Sequence, residues 1–109
     1  MEIICFHNPD EENGYLSNWY ESKFIVDHVK FSSMEPFLVY EGLIAKFSQN
    51  EELKKQLKET KTAILAECAV KDRIWGIGLS MKDLKRFDIT QWRGQNLLGY
   101  ALMEVRKRL

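Results

Sequence analysis

Four stretches of the chain gather polar and aromatic side chains between its apolar runs. They are Leu16-Ser17-Asn18-Trp19, Ser33-Met34-Glu35, Asp72-Arg73-Ile74-Trp75-Gly76-Ile77-Gly78, and Trp92 with Gly94-Gln95-Asn96-Leu97-Leu98-Gly99. Carboxylates such as Glu35 and Asp72 can exchange protons with a reacting group. Taken alone, Glu35 is more often a partner for the positive end of a helix than a catalyst. Trp75, set among apolar residues and glycines, is by type either core or a flat face for stacking, and Trp92 in its loop is equally open. Other chemistries find no apparatus. No GxSxG, phosphate loop or GxGxxG is present, and Ser17 and Ser33 have no evident histidine partner for acyl transfer. His7 and His28 stand alone, without metal-ligand spacing, and read as surface or turn residues. No metal site is expected. Cys5 and Cys68, the only 2 cysteines, lack CxxC spacing and read as reduced, largely buried thiols in a reducing compartment.

These stretches must be held by elements that the pattern of the chain predicts. Residues 2–6 form a short β-rich run, followed by a turn-rich loop over 8–14. Phe24-Ile25-Val26 and Val29-Lys30-Phe31 around Asp27-His28 suggest a hairpin. Ser32 or Ser33 before Met34-Glu35-Pro36 is a helix start, since serine can accept a first-turn N–H and proline needs no partner there. That helix runs to about Phe47, with Gly42 inside it implying close packing or a kink. Asn50 is expected to cap a second helix over 51–58, with Leu53 and Leu57 on one face. Residues 62–68 are apolar enough for a core strand, 72–78 reads as a loop, and 81–87 as a helical turn. Asn96 opens a last helix on which Leu97, Leu98, Ala101, Leu102, Val105 and Leu109 make an apolar stripe. The expected fold is a small α+β domain of short strands and a hairpin packed with about three helices.

Length and composition bound the function. At 109 residues the chain fits one domain, able to bury about 65% of the surface its unfolded form exposes. With 16 basic and 16 acidic residues and a pI near 6.7, it lacks the basic excess of a general nucleic-acid binder. No run approaches the roughly 20 apolar residues that span a bilayer, and the first residues do not read as a signal peptide. The expectation is a cytoplasmic protein without a membrane partner.

In combination the motifs resemble the NADAR superfamily, also called YbiA-like. That family carries a Leu-Ser-Asn-aromatic segment, a Ser-x-Glu helix start, Lys-Phe-x-Gln-Asn, Asp-x-x-Trp-Gly-x-Gly and a closing Gly-x-Asn-x-Leu-Gly-x-x-Leu-Met-x-Val-Arg. Here these are residues 16–19, 33–35, Lys46-Phe47-Ser48-Gln49-Asn50, 72–78 and 94–106, five blocks in order over nearly the whole chain. The resemblance implies a YbiA-like fold and hydrolysis of N-glycosidic bonds to ribose, in riboflavin-pathway ribosylamine intermediates or in ADP-ribosylated guanine. It implies no cofactor.

Breaking a C1′–N bond builds positive charge on the ribose, so a nearby carboxylate stabilises that state and can activate water. The resemblance gives this role to Glu35, with Asp72 or Glu67 as the second carboxylate, orienting Arg73 or assisting proton transfer. Trp75 would stack on base or ribose, and Gly76 and Gly78 would admit a phosphate or sugar to the backbone. Ser17, Asn18 and Asn96 are candidate hydrogen-bond partners, and Trp19, Lys46, Glu67 and Trp92 complete the substrate-binding set.

One spacing departs from the family, in which several dozen residues separate Ser-x-Glu from Lys-Phe-x-Gln-Asn. Here only residues 36–45 do, as if an internal segment were deleted, which would put Glu35 and Lys46 on one continuous helix. The pocket wall lost this way would expose apolar surface that a homodimer could cover. Two further readings are a nucleotide- or ADP-ribose-binding module without turnover, and a degenerate family member.

Overall fold

The computed structural model describes residues 1–17 and 36–109. Two short strands, β1 (Ile3–Phe6) and β2 (Ile64–Glu67), pair in parallel with Ile3 opposite Ile64 and Phe6 opposite Glu67. Parallel strands cannot be joined by a tight turn and need a crossover. Helices α1 (Pro36–Ser48) and α2 (Glu51–Glu59) lie on that crossover, and α3 (Leu97–Arg108) closes the fold against β2 and α1. The architecture is α+β, as expected; the described residues form three helices and a two-stranded sheet, with α3 packed on β2 and against α1. The hairpin expected around Asp27-His28 lies outside the described residues.

Alternation along the strands sorts the core into two layers. Side chains of successive strand residues point to opposite faces. Phe6 and Leu65 join Leu43, Phe47, Leu57, Leu98, Leu102 and Val105 in the helical layer. Cys5, Ala66 and Cys68 join Ile77 and Leu79 in a smaller layer on the other face, so both cysteines are buried. Burial on both faces is why 62–68 reads as a continuous apolar run. The same alternation assigns Glu67, two residues after Leu65, to the helical face.

Some local expectations are revised. Gly42 lies within an unbroken α1, and a Cβ there would meet nothing within 4 Å among the described residues. Asn50 is the N-cap residue of α2, as expected, its carbonyl accepting from the Lys54 N–H at 2.9 Å; its side chain makes no capping bond, and its amide donates to the Lys46 carbonyl at 2.7 Å, one turn back on α1. The helical turn expected over 81–87 is a 3-10 turn at Leu84–Phe87, capped by Asp83 and followed by a second at Ile89–Gln91, capped by Asp88.

Asn96 does more than open α3. Its backbone is left-handed, at φ 54° and ψ 40°, and its side chain is fully buried. The amide oxygen accepts from the Glu67 N–H and the amide nitrogen donates to the Leu65 carbonyl, both at 2.9 Å. One side chain thus supplies β2 with the two hydrogen bonds that a third strand would have made. α3 can sit this close because Gly99 carries no Cβ, which would fall 1.9 Å from the Leu65 carbonyl oxygen.

Replacing Asn96 by alanine leaves a buried N–H and a buried carbonyl unpaired and keeps a strained left-handed backbone. The expected outcome is a loss of about 3 kcal/mol of stability in urea denaturation, with α3 and β2 losing amide-exchange protection together.

Candidate active site

The loop after β2 is held at both ends. Asp72 Oδ1 accepts from the backbone N–H groups of Ile74 at 3.0 Å and Trp75 at 2.8 Å, a local turn that aspartate forms readily. The carbonyls of Ile74 and Trp75 then accept from the N–H groups of Leu97 and Leu98, each at 3.1 Å. These N–H groups open α3 and have no partner within the helix. Gly76 and Gly94 let the two backbones touch, since a Cβ on Gly94 would lie 2.2 Å from the Gly76 carbonyl oxygen. The close approach foreseen at Gly76 is therefore made by the protein's own backbone. Gly78 is left-handed at φ 73° and packs on Arg93.

This scaffold surrounds Glu67, the last residue of β2. Its backbone is fixed on both sides: the N–H by Asn96 and the carbonyl by the Ile77 N–H at 2.8 Å. Its carboxyl is buried, and burial, reinforced by the negative charges of Asp72 and Glu11, pushes its pKa up to about 8. Desolvation and like charge both disfavour a carboxylate. Oε2 has no hydrogen-bond partner among the described residues. At neutral pH Glu67 is mostly a carboxylic acid with a proton to give.

The nearest titratable neighbour is His7, whose Nδ1 lies 3.6 Å from Glu67 Oε2. Its position follows from register: Phe6 pairs with Glu67, and His7 comes next. The signal in the sequence was the shared end of two strands, which a search for metal spacing does not detect. His7 also lines an open cleft of about 870 Å³ with Glu11, Cys68, Asp72, Arg73 and Lys82. The cleft lies off the carboxyl ends of the parallel strands, the usual position of ligands on such sheets.

The other residues singled out from the sequence separate into groups. Glu67, Asp72, Trp75, Gly76 and Asn96 share one neighbourhood, with Trp75 half-buried against the helical layer. Ser17 and Lys46 form a second. The Lys46 ammonium is buried and donates to the carbonyls of Tyr15 at 2.8 Å and Ser17 at 3.0 Å, while burial lowers its pKa to about 8. It fastens the turn that precedes Asn18 to α1. Trp92 packs against the smaller layer, its indole N–H donating to the Arg86 carbonyl at 2.9 Å. Glu35, Asn18 and Trp19 lie outside the described residues, and Lys46 is on α1, which begins one residue after Glu35.

Comparison with known proteins gives this geometry a context. Residues 31–109 match the family described as the NADAR domain. The chain is 43% identical over 70 residues to N-glycosidase R617 of Acanthamoeba polyphaga mimivirus, covering 64% of this chain and 41% of that protein. It is 42% identical over 72 residues to protein irg-1 of Caenorhabditis elegans, covering 66% and 34%. With N-glycosidase YbiA of Escherichia coli K12 it shares 34% identity over 79 residues, covering 72% and 42%. The matches thus span less than half the length of these relatives. In fold, it is similar to the NMR structure of E. coli YbiA, with a TM-score of 0.74 at 24% identity over 98% of this chain and 84% of that one.

The buried acid has a consequence for stability. A carboxyl whose folded pKa is raised stabilises the fold fully below its unfolded value near 4.5, and that contribution is lost as pH rises through about 8. Glu67→Gln removes the titration while keeping the shape. Relative to wild type, the variant is expected to gain stability steadily between pH 5 and pH 9, by several kcal/mol in parallel denaturation curves. A constant difference across that range would show that Glu67 is ionised in the folded protein.

Proposed function

The chain belongs to the NADAR domain family, and from that premise we propose that it hydrolyses the N-glycosidic bond of a ribosylated small molecule, with Glu67 as the general acid. One observation carries the assignment: a buried carboxyl at the end of β2, whose Oε2 has no hydrogen-bond partner among the described residues and whose burial pushes its pKa up to about 8. A departing base nitrogen needs a proton as the C1′–N bond lengthens, and an acid with a pKa near the working pH gives it most effectively. The names of two relatives, N-glycosidase R617 and N-glycosidase YbiA, support the reaction class.

Glu35 takes the opposite role in this reading. As a carboxylate it stabilises the positive charge that develops on the ribose and accepts the proton of the attacking water. Asp72 acts on the site in two ways, by folding the loop that presents Trp75 and by raising the proton affinity of Glu67 with its charge. Trp75 offers a face to base or ribose. Lys46 and Ser17 hold the turn that leads into Asn18 and Trp19. The substrates proposed are a ribosylamine intermediate of the riboflavin type or an ADP-ribosylated guanine, and the proposed setting is the cytoplasm.

The test is base release from an aminouracil ribosylamine phosphate, ADP-ribose and ADP-ribosylated guanosine, with wild type, Glu35→Gln and Glu67→Gln. Wild type is expected to release base from one of them, and each variant to lower kcat by roughly 10²–10⁴. The profile of kcat/KM is expected to fall above pH 8 in wild type, as Glu67 loses its proton. Thermal stabilisation by one compound, with no release from any, would show a binding module instead.

A further inference from the structure

Hydrolysis of a C1′–N bond moves two protons in opposite senses. The departing nitrogen takes one from the acid, and the water that adds at C1′ gives one to the base. Each turnover therefore leaves Glu67 a carboxylate, one proton short, while Glu35 holds one in excess. Solvent must accept the second and return the first. The Glu67 side chain is only 9% exposed, so the return of its proton needs a carrier.

His7 touches both sides of that barrier. Its Nδ1 and Glu67 Oε2 face each other at 3.6 Å, both fully buried and both without a hydrogen-bond partner among the described residues. Buried polar atoms are nearly always paired, so two orphans side by side form a contact that needs only a small rotation to become a hydrogen bond. Such bonds are often long in a free enzyme and tighten with substrate. The rest of the imidazole reaches outward: the side chain is 39% exposed and lines the cleft. Imidazole can take a proton at one nitrogen and release one at the other, and it does both near neutral pH.

The local fold keeps the ring in place. The turn after β1 is closed by the Asn13 amide, which donates to the Cys5 carbonyl at 3.0 Å, and by Gly14, where a Cβ would fall 2.1 Å from the Pro9 carbonyl oxygen. The carboxylates of Asp72 and Glu11 favour the protonated form of Glu67, so the proton, once delivered, stays. Lys71, Arg73 and Lys82 stand along the same cleft as the remaining charged groups.

We propose that His7 is a positioning residue for Glu67 and its proton relay, carrying a proton from solvent in the cleft to Glu67 Oε2 after each turnover. The proton leaves an imidazolium, forms the O–H bond of the carboxylic acid and leaves a neutral imidazole, which takes its replacement from water. No electrons move. The inference rests on Glu67 being the general acid.

The experiment compares wild type, His7→Ala, His7→Gln and Glu67→Gln in the base-release assay at low buffer, with and without imidazole. His7→Ala is expected to lower kcat about tenfold with KM within twofold, and added imidazole to restore most of the loss. His7→Gln keeps the volume and a polar tip but cannot relay, so it should match His7→Ala, which separates proton transfer from packing. Glu67→Gln should be slower still and unmoved by imidazole. A His7→Ala rate equal to wild type, or a lowered rate that no buffer acid restores, overturns the relay while leaving Glu67 as the acid. Wild-type kcat in Glu67→Gln overturns both. An NMR titration decides independently of turnover: the His7 imidazole resonances should respond to the ionisation of Glu67, a response that Glu67→Gln abolishes, and its absence in wild type overturns the contact.

Discussion

The side-chain amide of Asn96 joins the described parts of this fold. A two-stranded parallel sheet is marginal by itself, because each strand has one edge without a ladder partner. Here, among the described residues, the edge of β2 away from β1 is met chiefly by Asn96, which donates to the Leu65 carbonyl and accepts from the Glu67 N–H, with the Ile77 N–H donating to the Glu67 carbonyl. That arrangement fixes where α3 begins, and α3 in turn fixes the loop 72–76, whose carbonyls fill its first N–H groups. The close approaches at Gly76, Gly94 and Gly99 are consequences of the same geometry. A side chain at any of them would separate backbones that Asn96 holds together.

From this joint follows the electrostatic character of Glu67. Strand alternation sends its side chain toward the helical layer, and the Asn96 bond prevents the strand end from fraying to let water in. Burial then acts on Glu67 and Lys46 by one cause with opposite results. Both groups move toward the neutral form, the acid up to about 8 and the ammonium down to about 8. Near neutral pH Glu67 is consequently mostly uncharged, and Lys46 mostly charged. The ammonium keeps its charge by donating to two carbonyls, which makes it a structural tie. The carboxyl has no such partner at Oε2, which leaves its proton available. Partners, more than depth, set the two groups apart.

Much of this was legible in the sequence, and the reason differs from element to element. β2 and α3 were readable because their apolar patterns are strong and local. The Asp72 turn was readable as a loop because aspartate and glycine specify such loops. The task of Asn96 was hidden, since a left-handed residue bonded to a strand 29 positions away leaves no periodic trace. At Gly42 the kink that a glycine inside a helix can bring is not formed, since α1 runs unbroken past it. His7 was set aside because its partner is not near in sequence. It becomes visible only when β1 and β2 are aligned and their ends are found to coincide.

The short run between Glu35 and Lys46 bears on one part of the molecule and not on another. Crossover length affects how β1 connects to β2, and parallel pairing tolerates many lengths provided the connection is long enough. The acid side of the site does not depend on it. Glu67, Asp72, Trp75, Gly76 and Asn96 all fall within residues 67–96, and each is positioned by hydrogen bonds or contacts within residues 65–98. That stretch lies wholly inside the region that matches the family. A change in the crossover therefore leaves the Glu67 carboxyl where β2 and α3 put it.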